Sequence, residues 1–425
     1  MVLNMTSVST SFEGPKLRYF LLGLLFIVLL LKPTPVGLIG GLGVKLFDVV
    51  LFLYALIIYF SIGRRYFVSK NVLLVGVGLC LISILEIISF FNGARYHSYT
   101  TQDALEFSRW LMYLPFLLLG AALTEDKGSV AKIYLYSLVI FCVFSWLLFF
   151  DVMGFEKLVS PFYDLSKSRG VENLASESGL WRLAGSFNNP NYYGQFCALN
   201  AVALTWIALK NRIYSVLFFL LVVSNFCFVL LSGSRTALIC MLFGVGLLVL
   251  YWIFYTRLSI FKLFFAAFFC FAFMLFLYVM YLFLMENFLR FSDVDNIILN
   301  ITARFDAWSQ VSLILNSVDL LLLGYGADRA SLTAADNNFV AFFLKNGFLG
   351  LFVFLSFVGY MIFATWSRFK SKYSDINLVG GVALMAVLLM SLASITSIPY
   401  HHAQIGMAFF FLMGISLSRS NSELS

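Results

Sequence analysis

Apolar residues run through this chain in long blocks, and short polar connectors interrupt them. Twelve blocks stand out, at 17–31, 46–62, 72–91, 107–123, 132–154, 190–209, 213–231, 236–256, 259–288, 347–366, 378–397 and 400–418. A membrane-crossing helix needs about 20 mostly apolar residues, and backbone in hydrocarbon must satisfy its own hydrogen bonds, so these blocks predict spanning helices. The expected fold is all-α: one integral membrane domain over residues 1–425, a polytopic bundle of about twelve transmembrane helices with two long periplasmic loops, 155–189 and 289–338. The run Phe339 to Trp366 has 28 residues, about 42 Å at 1.5 Å per residue, which is long for one straight span. Lys345, Asn346 and Gly347 predict a break there. A short helix or re-entrant piece then begins near Asp336, and a span follows from Gly347.

Composition excludes a soluble protein: of 425 residues, 61% are hydrophobic and 12% charged, and mean hydropathy is +0.94. The first apolar run meets Lys32-Pro-Thr-Pro instead of a small-residue cleavage site, so it reads as a span and not as a signal peptide. Cys80, Cys142, Cys197, Cys227, Cys240 and Cys270 all fall inside apolar runs, which suggests neither a disulfide framework nor a zinc site.

With the N-terminus inside, alternate connectors carry Arg64, Arg65 and Lys70, then Lys127 and Lys132, Lys210 and Arg212, Arg257 and Lys262, and Arg368, Lys370 and Lys372. That is the positive-inside pattern. The net charge of +7 therefore reflects cytoplasmic anchoring and sites for an anionic lipid substrate, with no nucleic acid implied.

The remaining polar residues gather on the other side. Gly185-Ser-Phe-Asn-Asn-Pro-Asn-Tyr-Tyr-Gly194 places a turn before a helix, with Pro190 in its first turn and Asn189 or Asn188 as cap. Two readings stand: a capped helix entrance, or amides such as Asn189 and Asn191 facing an anion or sugar beside free N–H groups. In Ser232-Gly-Ser-Arg-Thr-Ala237, Gly233 permits a sharp turn, and Ser234, Arg235 and Thr236 present donors at a helix start. Arg235 is either an interfacial arginine reaching the headgroups or a fork for phosphate oxygens. The second loop holds Arg304-Phe-Asp-Ala-Trp308, Gly324-Tyr-Gly326 and Asp336-Asn-Asn-Phe339. Arg304 and Trp308 are four apart and share a helical face, while Asp336 reads as an N-cap or as a reactive carboxylate. Arg95, His97 and Arg109 extend a basic outer surface. His401 and His402 mark the last outer turn, and Glu86 lies inside the third span with no evident partner.

Taken in order, these motifs resemble the O-antigen ligase and polymerase superfamily of membrane glycosyltransferases over about residues 180–360. The resemblance implies a dozen-helix inner-membrane protein with cytoplasmic termini and a site facing the periplasm. Its substrate would be an undecaprenyl-diphosphate-linked oligosaccharide, with no cofactor or metal. The bilayer is a further partner, and a chain-length regulator is left open. Arg235 and Arg304 match the diphosphate-binding arginines. Asp336 stands where ligases carry a histidine, which favours the polymerase branch. The expected catalytic set is Asp336, Arg235 and Arg304, with Asn189, Asn191, Ser234, Trp308, Tyr325, Asn337, Arg95 and Arg109 binding substrate.

Overall fold

The computed structural model describes residues 15–32, 42–62, 69–96, 106, 108–163, 182–187, 189–211, 216–255, 308–309, 311–315, 317–326 and 337–418. The described residues form helices and turns, with no strand among them. The main helices are α1 (Pro15–Leu31), α2 (Leu42–Ser61), α3 (Lys70–Gly93), α4 (Ser108–Leu111), α5 (Leu114–Ala122), α6 (Lys127–Phe149) and α7 (Phe155–Val159). They continue with α8 (Pro190–Asn211), α9 (Val216–Leu231), α10 (Arg235–Tyr255), α11 (Val311–Ile314), α12 (Val318–Leu323), α13 (Asn338–Phe369), α14 (Ser374–Ala393) and α15 (Ala403–Leu417).

Against the roughly twelve expected spans, four helical stretches among the described residues are long and apolar enough to cross a membrane: Lys70–Gly93, Thr124–Phe149, Asn338–Phe369 and Ser374–Ala393. α1, α2, α9, α10 and α15 contribute shorter apolar stretches. α8 has the length, but Asn191, Gln195 and Asn200 lower its apolarity. The expected span 259–288 lies outside the described residues.

Several boundaries differ from expectation for local reasons. The fourth block is two helices, because Pro115 at the start of α5 has no N–H to continue the turn from α4. The fifth ends at Phe149, where Asp151, Met153 and Gly154 take left-handed backbone angles. α14 stops at Ala393, so 394–398 is a turn and not helix. The last helix begins at Ala403, after a 3-10 turn Pro399–His401.

α5 packs against α15, α8 against α9, α10 and α14, α1 against α6, and α13 against α3 and α14. Trp110, Tyr113, Phe342, Phe354, Tyr400 and Phe410 are fully buried in this core. The Trp110 ring lies 5.6 Å from that of Phe342, 6.2 Å from Phe354 and 6.3 Å from Tyr400, tying α4, both parts of α13 and the last turn together.

The expected break in α13 is present. Gly347 has φ 62° and ψ −163°, dividing a short helix, 338–346, from the longer one that follows. Gly324-Tyr-Gly326 closes that break: Tyr325 N donates to Leu344 O and Gly326 N to Lys345 O, both at 2.8 Å. Asn92 of α3 donates to Gly324 O at 3.1 Å. Gly324 and Gly347 lie backbone to backbone, with no room for a side chain on either. Gly324→Ala should therefore lower the midpoint of thermal unfolding in detergent by the equivalent of about 1–3 kcal/mol from backbone strain alone. Gly359→Ala, at a helical position with open space around it, should leave the midpoint nearly unchanged.

Candidate functional site

Three of the longer helices, α8, α10 and α13, begin at the same end of the bundle, and the turn 394–398 joins their starts. Gln195 of α8 donates to Ser397 Oγ at 2.8 Å. Thr236 of α10 shares a 2.5 Å hydrogen bond with Thr396. Asn338 N, at the head of α13, donates to Ser394 O at 2.8 Å. A helix start exposes unpaired N–H groups and the positive end of the macrodipole, so this convergence concentrates partial positive charge in one place.

Each start is capped from its own sequence. Asn189 Oδ1 accepts from Asn191 N at 2.9 Å, and Pro190 stands first in α8. Ser234 Oγ accepts from Ala237 N at 3.3 Å, and Gly233, at φ 58°, makes the turn from α9 into α10. Asn337 Oδ1 accepts from Phe339 N at 2.9 Å and Val340 N at 3.1 Å. The cap of α13 is therefore Asn337 and not Asp336. Asp336 and Arg304 lie outside the described residues, as do His97 and Asn188.

Arg182 is a site residue that the motif reading passes over. Its Nε donates to Ser232 O at 2.8 Å and its Nη2 to Asn191 Oδ1 at 2.7 Å, so one guanidinium bridges the starts of α8 and α10. Leu183 N adds a bond to Leu231 O at 2.9 Å. Gly194 lets α8 lie directly against Ser232 and Ala237. The signal was present in sequence: on the topology expected from the basic connectors, Arg182, like Arg235, is an arginine in a stretch where positive-inside anchoring does not call for one. Arg235 is half-buried at the first position of α10, beside this bridge.

The other expected residues fall into two groups. Trp308 and Tyr325 pack on a small apolar cluster of Ile314, Leu320, Ala341 and Leu344 over the short helix of α13. Arg95 is exposed in the turn after α3. Arg109 does not extend a basic surface, because its Nη2 pairs with Glu106 at 3.2 Å. Lys345 Nζ approaches the same buried carboxylate at 3.8 Å. Glu86 has partners after all: Trp110 Nε1 donates to it at 3.1 Å, and Lys345, Glu106 and Arg109 act on it electrostatically. These contacts join residues far apart in the chain, which no local pattern announces.

His402, just ahead of α15, packs against Phe187 at 5.2 Å and Tyr192 at 4.6 Å between ring centroids. Burial, reinforced by the positive charges of Lys32 and Arg109, pushes its imidazole down to about 3. Among the described residues no group of three or more His, Cys, Asp or Glu side chains could hold a metal ion.

No protein-family model matches the chain, and no curated protein matches it.

Two expectations follow from the geometry. Arg182→Ala removes two charge-assisted bonds and should cost about 1.5–3 kcal/mol each at most, read as a lower unfolding midpoint. Arg182→Lys should recover only part, since an ammonium lacks the planar fork. His402 is neutral in the folded protein and takes up a proton on unfolding below its ordinary value of about 6.5. Its stabilising contribution is therefore complete above that pH and is lost as pH falls toward 3. The drop in thermal midpoint on going from neutral to acidic buffer should be smaller in His402→Phe than in the unaltered protein.

Proposed function

We propose that this protein is a membrane glycosyltransferase of the O-antigen polymerase type. In this reading the bundle crosses a bacterial inner membrane about twelve times, with its termini in the cytoplasm. The loops around 155–189 and 289–338 then face the periplasm. The observation that supports it is the convergence of the α8, α10 and α13 starts with Arg182 and Arg235. Helix N-termini and guanidinium forks are the groups that hold diphosphate oxygens.

A hydroxyl of one lipid-linked repeat unit attacks the anomeric carbon of the growing chain's reducing-end sugar. The C–O bond to the diphosphate breaks, and undecaprenyl diphosphate leaves with the electron pair. Arg235 and Arg304 neutralise the charge that builds on the departing group, with donors preorganised where that charge develops. Asp336, next to the cap of α13, orients the attacking hydroxyl and takes its proton. Asn189 and Asn191 shape the entrance, while Trp308 and Tyr325 meet the sugars.

The test is complementation of a deletion strain, with surface glycan resolved by electrophoresis. Arg235→Ala and Arg304→Ala should reduce polymerised chains to single repeats at normal protein levels, and full-length chains from both variants would remove the diphosphate role. Arg→Lys at either position should restore only part of the activity, since charge remains and the fork does not. Asp336→Asn with full activity would leave Asp336 without a proton-accepting role. A ligase would instead lose all attached glycan on deletion.

A second reading, a transporter of the lipid-linked unit, is favoured by one observation: the buried carboxylates Glu86 and Glu106, with the half-buried Arg109 and Lys345 beside them. Ionisable groups inside spans commonly mark transport paths. That reading requires lipid-linked single units to accumulate on the cytoplasmic leaflet of the deletion strain.

A further inference from the structure

The segment 150–163, which follows α6, exposes large apolar side chains where the chain has already left the span: Val152, Met153, Leu158 and Phe162. Such side chains are ordinary on the lipid-facing flank of a spanning helix, whereas a contiguous apolar patch facing water is not. On α6 itself Tyr136, Ile140 and Val143 are exposed at helical spacing, and Phe150, two turns further on, is 65% exposed. One flank of the span therefore faces outward along its length and ends at Phe150, and Val152 and Met153 carry apolar surface past that end.

The backbone bends sharply to do this. Asp151 and Met153 take φ 47° and 54°, left-handed angles that few non-glycine residues adopt. Asp151 has a local return, because its Oδ1 accepts from Glu156 N at 2.8 Å and closes the turn into α7. Met153 gains no packing in exchange, its side chain being wholly exposed.

From α7 onward the segment shows three faces at helical spacing. Phe155, Val159 and Tyr163 turn to the bundle. Phe144 lies 5.5 Å from the Phe155 ring and 5.3 Å from that of Tyr163, whose O–H donates to Leu31 O at 2.6 Å. Leu158, 70% exposed, and Phe162, 49% exposed, lie four apart beside that face. Glu156 and Ser160, also four apart, lie on the side opposite them. A helix packed on a protein at a water boundary needs one apolar face, and a second beside it calls for a second apolar medium.

We infer that residues 150–162 form an interfacial anchor, with Val152, Met153, Leu158 and Phe162 inserted in the bilayer at the level where α6 leaves it. The occupant follows from continuity: the lipid-facing flank of α6 ends at Phe150, so the apolar surface next along the chain lies at the boundary between acyl chains and headgroups. Glu156 and Ser160 then face water, and the exposed Lys157 reaches lipid phosphates. Leu31 holds Tyr163, and Leu30 O accepts from Ser186 Oγ just ahead of α8, so the anchor lies at the end of the bundle where α8 begins. The first part of the loop expected at 155–189 is thereby membrane surface. This surface depends on α6 crossing a bilayer, as in the proposed function, and not on the reaction.

The test is photo-crosslinking of the full-length protein in vesicles of phosphatidylethanolamine and phosphatidylglycerol. Benzoylphenylalanine replaces Val143, Met153, Leu158 or Ser160 in separate preparations, all exposed positions with room for its bulk, and lipid adducts are read by intact mass. Adduct yields at Met153 and Leu158 should lie within about twofold of Val143 and roughly fivefold above Ser160, as expected for side chains below the headgroups. Adducts at Val143, with Met153 and Leu158 no higher than Ser160, overturn the anchor and leave the span. Absence of adducts at Val143 removes the span and the anchor with it. Cross-links from Met153 to a second copy or within the chain, in place of lipid, make the patch a protein contact and overturn the anchor too. Lipid adducts at Met153 and Leu158 together with unaltered surface glycan in the deletion strain uphold the anchor and remove the polymerase alone.

Discussion

The constraint on which this structure depends is that a backbone polar group inside an apolar bundle has no water to turn to, so every helix end and every break needs a donor or acceptor from elsewhere in the chain. The end of α1 shows how far this reaches. Leu29 O accepts from Gln404 Nε2 at 3.1 Å, Leu30 O from Ser186 Oγ at 2.5 Å and Leu31 O from Tyr163 O–H at 2.6 Å. Three remote segments are thereby fixed to one helix end. At the opposite end of the bundle Arg368 donates to Leu417 O and Ser418 O, Ser69 donates to Leu417 O, and Trp206 donates to Leu378 O. The same requirement places Gly324-Tyr-Gly326 at the break in α13 and Arg182 on Ser232 O. Satisfying the backbone is what brings distant polar side chains together, and the candidate site is a by-product of that requirement as much as a cause of it.

The consequence is electrostatic. Where α8, α10 and the short part of α13 all begin, partial positive charges from three helix ends add to those of two arginines, and Lys32 lies close enough to act on His402 nearby. Apolar surroundings screen such charges weakly, so an anion there would interact more strongly than on a soluble surface. The buried pair Lys32–Asp48, at 2.5 Å, shows one way the chain offsets this excess locally. The opposite end handles its basic residues differently: Lys127 pairs with Asp375 at 3.3 Å, while Lys210 and Lys370 lie over tryptophan rings.

The all-helical class was legible in the apolar blocks, because a helix in an apolar setting is specified by block length more than by periodicity, while the number of spans was not. The break at Gly347 was legible because Lys345-Asn-Gly interrupts a run too long for one span. Boundaries set by a single residue, such as the Pro115 break between α4 and α5, were less so. The caps at Asn189 and Ser234 follow local rules and stood in the motifs, whereas the cap of α13 fell one residue beyond the acidic side chain that drew attention. The partners of Glu86 and the role of Thr396 were not legible at all. They arise from helix packing between remote segments, and a lone threonine in a turn carries no mark of the neighbour it will meet.

The charged set around Glu106 is better understood as positioning than as a path for ions. Lys345 is the residue whose carbonyl accepts Gly326 N, so its ammonium and its backbone hold the same short helix from two sides, toward Glu106 and toward the closing segment. Phe342, one turn earlier, is fixed in the ring cluster with Trp110, and Trp110 donates to Glu86. A buried ion pair adds little net stability once desolvation is counted, but leaving one partner alone is costly, so such a set favours one arrangement over its alternatives. Here the arrangement selected is the angle of the short helix 338–346, and that helix carries Asn337 and Asn338 to the turn shared with α8 and α10. Charged residues that cap none of the helix starts can thus determine the geometry of the site through the packing around the short helix.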